Sequence, residues 1–139
     1  MTASLLLALL LTAPQTAPAN AQASTASAAA APTMEYAEAK RRSDADEASV
    51  TGPAHEDMTQ RQSDLLDAGI AACARSELRD DFTPFTVVMQ LDATGKVQQT
   101  WRQGGSPLAI CLQRYVRDKT VFTPPKAPFF NSIEVSFMK

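Results

Sequence analysis

Three kinds of pattern follow one another along the chain. Residues 5–11 are a nearly unbroken leucine run, residues 24–60 carry almost no large apolar side chains, and from Arg61 onward apolar positions recur with regular periods. In this last part Leu66, Ile70, Cys73 and Leu78 fall on one face of a helix that starts near Ser63 or Asp64, with Asp64, Asp67 and Arg75 outside. Phe85, Val87, Met89 and Leu91 then alternate with Thr86, Val88, Gln90 and Asp92, the period of two that marks a half-buried strand. Residues 92–96 form a turn in which Gly95 supplies the left-handed conformation of a short hairpin. Val97, Gln99 and Trp101 continue as the inward face of the return strand, with Gln98, Thr100 and Arg102 opposite, until Gly104 and Gly105 break it. Ser106 as N-cap and Pro107 at the first helical position open a second helix. Its apolar stripe is Leu108, Cys111, Leu112 and Tyr115, and it ends near Lys119. Pro124 and Pro125 forbid helix, and Ile133, Val135 and Phe137 alternate with Ser132, Glu134 and Ser136 in a closing strand.

The predicted order is α-β-β-α-β, an α+β fold. The hairpin is antiparallel, and the second helix returns the chain so that the last strand lies beside the first. That gives a three-stranded antiparallel sheet of order 2-1-3 with both helices on one face. The terminal strand is then an edge of the sheet.

The leucine run is shorter than the roughly 18–20 apolar residues that cross a bilayer. Small residues follow it, and both Ala19-Asn20-Ala21 and Ala21-Gln22-Ala23 suit signal-peptide cleavage. Residues 1–23 are therefore expected to be a signal peptide, cleaved after Ala21 or Ala23, leaving no stable membrane span. Residues 24–60, rich in Ala, Ser and acid, are expected to be a disordered linker, since so little apolar surface cannot offset the entropy of ordering. The linker carries seven acidic residues against three basic, and residues 61–139 carry ten basic against eight acidic. Neither balance is strong enough to suggest nucleic acid.

Cys73 and Cys111 are the only cysteines. In an exported chain an even count reads as a disulfide, here tying one predicted helix to the other. The closed loop should contribute about 3–4 kcal/mol by restricting the unfolded chain. For a domain of residues 61–139 with a thin core, that is a large share of total stability. The single histidine, His55, falls in the linker, and no spacing suits a metal or cofactor. No residue is assigned a catalytic, cofactor-binding or metal-binding role, and no enzyme is expected.

Several of these features together resemble the C-terminal domain of TonB. They are Gly95-x-Val97 at the hairpin, a serine before the second helix, Phe122-x-Pro124-Pro125, and the closing alternating strand. The nearer resemblance is to the AgmX/PglI-type C-terminal domains of bacterial envelope proteins, which carry a cysteine in each helix as Cys73 and Cys111 do here. The resemblance covers about residues 65–137. It implies a periplasmic or secreted interaction module that pairs an extended partner segment with a sheet edge. The expected docking edge is residues 129–137, with Phe129, Phe130, Ser132, Glu134 and Ser136 as partner-binding positions and an envelope protein or peptide as partner. The alternative is a small disulfide-stapled inhibitor or immunity-type protein that presents Phe129 and Phe130 from the loop 124–131.

Overall fold

The structure, a computed structural model, describes residues 33–77 and 81–138. The leader, its cleavage site, linker residues 24–32 and Leu78 lie outside the described residues. The elements are helices α1 (Tyr36–Ala48) and α2 (Pro53–Glu77), strands β1 (Phe85–Leu91) and β2 (Val97–Gln103), helix α3 (Pro107–Val116) and strand β3 (Phe129–Val135).

The three strands form one antiparallel sheet of order β2-β1-β3. The fold is α+β, with the predicted sheet order. Along β1 the side chains alternate between two faces. Phe85, Val87, Met89 and Leu91 meet Leu108, Leu112 and Val116 of α3 and Met58 and Cys73 of α2 in the main core. Ser106 caps α3 as predicted, its hydroxyl accepting from the Ala109 N–H at 3.1 Å, with Pro107 at the first helical position. Cys73 and Cys111 are joined, and their Cα atoms are 5.9 Å apart. Close packing of α2 on α3 passes over Gly69, where a Cβ would run into Leu112 and Tyr115.

Residues 36–48 and 53–60 are helical, joined by a turn at 49–52, and pack on the domain, which corrects the linker expected over 24–60 in its described part. Helix α2 starts ten residues before the predicted Ser63, with Pro53 opening it and Met58 buried beneath it. Helix α1 covers the second face of the sheet, so the molecule has three layers rather than helices on one face alone. Ala39, Met34 and Tyr36 pack there on Val88, Trp101 and Phe130. The positions α1 buries are Ala39, Ser43 and Asp46, a stripe at helical spacing made of small and polar residues. Its anchorage is a specific contact: the Trp101 indole N–H donates to the Met34 carbonyl at 2.8 Å.

Trp101 is buried, but not beside Val97 as the alternation implied. The pairing of β1 with β2 shifts between Gln90 and Leu91, so that Gln99 faces Gln90 while Val97 faces Leu91. One extra residue in β2 reverses the parity beyond it. Val97 therefore joins the main core and Trp101 the smaller one under α1.

Candidate functional site

A three-stranded sheet has two edges, and here they are treated in opposite ways. At the β3 edge the register with β1 leaves the N–H groups of Phe130, Ser132 and Glu134 pointing outward. Two of these meet carboxylates from the end of α1. Asp46 Oδ2 accepts from the Phe130 N–H at 2.8 Å, and Glu47 Oε1 accepts from the Ser132 N–H at 2.5 Å. The Ser132 carbonyl in turn accepts from the Gln62 side-chain amide of α2 at 3.0 Å. Two carboxylates and one amide thus stand where the carbonyls and N–H of a fourth strand would stand. Lys126 holds Asp46 from the other side at 2.7 Å, and Lys40 bridges to Glu134 at 2.7 Å.

Glu47 carries the densest part of this seal. The same Oε1 accepts from the Ser132 hydroxyl, the Asn131 amide at 3.2 Å and the Gln62 amide at 3.3 Å. Burial pushes the Glu47 carboxyl above its ordinary value, against the pull of the Ser132 donors and Lys40. Asn131 beside it is fully buried, and its Oδ1 has no hydrogen-bond partner among the described residues.

The predicted partner-binding residues are accordingly engaged from within. Phe129 is fully buried against Phe122, edge to face with centroids 5.3 Å apart. Phe130 is buried under α1, with the Arg42 guanidinium 5.5 Å from its ring centre. Neither ring is presented by the 124–131 loop as an apolar contact for an enzyme, because both rings complete cores. Ser132 is buried behind Glu47, Glu134 is exposed but ion-paired, and Ser136 is exposed beyond the end of β3. The carboxylates that close the edge lie in the stretch read as linker, so their role was not visible from the strand itself.

The β2 edge is different. Thr86, Val88 and Gln90 of β1 bond to Gln103, Trp101 and Gln99, which directs the main-chain groups of Thr100 and Arg102 outward. Among the described residues, cover lies at the start of this edge: Val97 N–H donates to the Lys119 carbonyl at 2.9 Å, and Val121 N–H to the Gly95 carbonyl at 2.9 Å. Among the described residues nothing bonds the outward N–H and C=O of Thr100 and Arg102. A groove of about 310 Å³ runs beside Thr100, lined by residues 97–100 of β2 and by Arg117 and Asp118 at the end of α3. Side chains brace the strand from the α3 side. Gln113 donates to the Thr100 hydroxyl at 3.2 Å and accepts from the Arg102 guanidinium at 3.0 Å.

Among the described residues no helix is long and apolar enough to cross a membrane, and no group of three or more His, Cys, Asp or Glu side chains is placed to hold a metal ion. No known protein family, curated protein or solved structure matches the chain.

Proposed function

We propose that the protein is an exported, non-enzymatic interaction module of the bacterial cell envelope that receives an extended segment of a partner protein by strand addition. The observation that carries this reading is the contrast between the two sheet edges. Unpaired strand edges invite pairing, and chains that have no use for one tend to blunt it. Here β3 is closed by Asp46, Glu47 and Gln62, while among the described residues the main-chain groups of Thr100 and Arg102 of β2 stay open, Thr100 beside a groove. The docking edge is therefore β2 rather than the terminal strand.

Export is supported by the disulfide between the helices, a bond that persists in oxidising compartments, and by the leader pattern of residues 1–23. The resemblance to TonB-like envelope domains supports the mode of binding but not the edge used.

Capture from gently cross-linked envelopes tests the reading with two proline variants. Thr100→Pro removes an outward donor from β2, and Glu134→Pro removes the remaining outward donor from β3; neither takes a bond from the sheet. A partner retained by the intact protein and by Glu134→Pro, and lost from folded Thr100→Pro, is the expected result. Loss from Glu134→Pro alone would return docking to the terminal strand.

A further inference from the structure

The charges of the described residues are sorted across the sheet. Lys40, Arg41, Arg42, Arg61 and Lys126 all make ion pairs, and all lie on α1, α2 or the loop before β3. Lys96, Arg102, Arg114, Arg117 and Lys119 make none among the described residues, and all lie on the hairpin, β2 or the end of α3. Arg117 lines the groove beside β2, and Lys119 and Lys96 flank its closed end through the Val97 bond and the Lys96–Thr120 bridge. Arg114 lies one turn ahead of Arg117. The acidic residues in this region are Asp118, in the groove, and Asp92, whose carboxylate is occupied by Thr94, Lys96 and Gln98 within the hairpin turn.

From this arrangement we infer that the segment received at the β2 edge is acidic, an extended peptide carrying Asp or Glu at alternate positions. The inference rests on the strand-addition reading above and adds the chemistry of the partner. Alternate side chains of an added strand project to one face. Placed against Thr100 and Arg102, one such face lies under the end of α3, where Arg117 lines the groove. Main-chain bonds supply the attachment, and the unpaired cations select the sequence. Arg forks match carboxylates in two-point geometry, which favours side-chain acids as the anion.

The test uses the disulfide-bonded protein and three blocked heptapeptides that alternate Val with Glu, Gln or Lys. Binding is followed by titration, and backbone amide exchange is followed residue by residue. The Glu peptide should bind and slow exchange at Thr100 and Arg102. The Gln peptide should bind about fivefold more weakly or worse, and the Lys peptide weaker still, with the differences shrinking as salt rises. Arg117→Glu should erase the preference for Glu over Gln while leaving protection of Thr100. Equal binding of Glu and Gln peptides, with Thr100 protected by both, would overturn the acidic partner and leave strand addition standing. Glu-peptide binding that persists in Thr100→Pro or protects no residue of β2 would overturn strand addition itself. Protection of Thr100 that grows with protein concentration without peptide would make a second copy of the chain the occupant, and the acidic partner would again be wrong. Exchange at Thr100 and Arg102 is read on the unaltered protein, so the exchange outcomes do not depend on a variant folding.

Discussion

Replacing Glu47 by alanine and by glutamine separates the role of its oxygen from that of its charge. Alanine leaves the Ser132 N–H and the Asn131 amide without their acceptor, in a place where Ser132 and Asn131 are buried. A buried donor left unpaired costs about 1–3 kcal/mol, and the lower half applies here because Glu47 is only half-buried and water can enter the vacated space. Two such donors give an expected loss of about 2–4 kcal/mol. In urea, with a slope of about 1–3 kcal/mol/M for a small domain, the unfolding midpoint should fall by roughly 1–2 M at unchanged slope. Glutamine keeps an acceptor in the same position and should stay within about 1 kcal/mol of the natural chain. If alanine and glutamine shift the midpoint equally, or if alanine costs less than about 0.5 kcal/mol, the carboxylate does not seal the β3 edge and the contrast between the edges fails.

The same pair of variants carries a pH signature. Burial raises the Glu47 carboxyl in the folded state, so its contribution to stability is complete below the unfolded value of about 4.5 and is lost as pH rises through the folded value. Glu38 acts in the opposite sense. Hydrogen bonds from Arg41 and Arg42 lower it to about 2, so its contribution is present above the unfolded value and is lost as pH falls from about 4.5 toward 2. Stability should therefore climb as pH rises through the acid range and then decline above about 4.5. Glu47→Gln should abolish the decline and keep the climb; a decline that survives the substitution would assign it to another group.

Three further outcomes follow from the fold. Reduction of the Cys73–Cys111 bond, or its replacement by serines, should cost about 3–4 kcal/mol by equilibrium unfolding, and a loss under 1 kcal/mol would mean the α2–α3 packing already holds the loop closed. Gly95→Ala should destabilise by well over 1 kcal/mol, because Gly95 has φ +87° and a Cβ there would strike the Phe122 main chain; an unchanged melting temperature would be inconsistent with that approach. Ser106→Ala should cost about 1 kcal/mol through loss of the bond to the Ala109 N–H, readable as a lower urea midpoint with slope unchanged.

The elements legible in the sequence were those built by apolar periodicity or by turn chemistry. The β1 alternation, the glycine hairpin, the Ser106-Pro107 helix start and the cysteine pair all mark themselves locally. Helix α1 did not, because it buries Ala39, Ser43 and Asp46, and a search for large apolar residues passes over such a stripe. Its charges did carry a signal. Glu38 pairs with Arg41 and Arg42, and Lys40 with Asp44, at the three- and four-residue spacings that only a helix brings together. Pro53 before a run containing Met58, Leu65, Leu66 and Cys73 likewise fits a helix start ten residues earlier than Ser63. The displaced Trp101 has no such signal, since one bulged residue in β2 changes its face without altering the alternation around it.

Sealing an edge strand with side chains has an electrostatic consequence for the rest of the molecule. Outward N–H groups need acceptors, and the strongest short acceptors are carboxylates, so the helix that closes β3 ends in Asp46 and Glu47. Acids drawn out of water need counter-charge: Lys126 pairs with Asp46, and Lys40 pulls on Glu47. The excess acid of residues 24–60 is thus partly spent on the β3 edge, and the formal net charge of −2 conceals a gradient across the sheet. What remains at β2 is an open pair of main-chain positions among cations with no ion-pair partner among the described residues. An edge left open by accident would have no reason to collect five cations without ion pairs among the described residues against two acids, Asp92 and Asp118. An edge that waits for an acidic strand would, because those cations both discourage self-pairing, through like-charge repulsion between two copies, and reward the intended occupant.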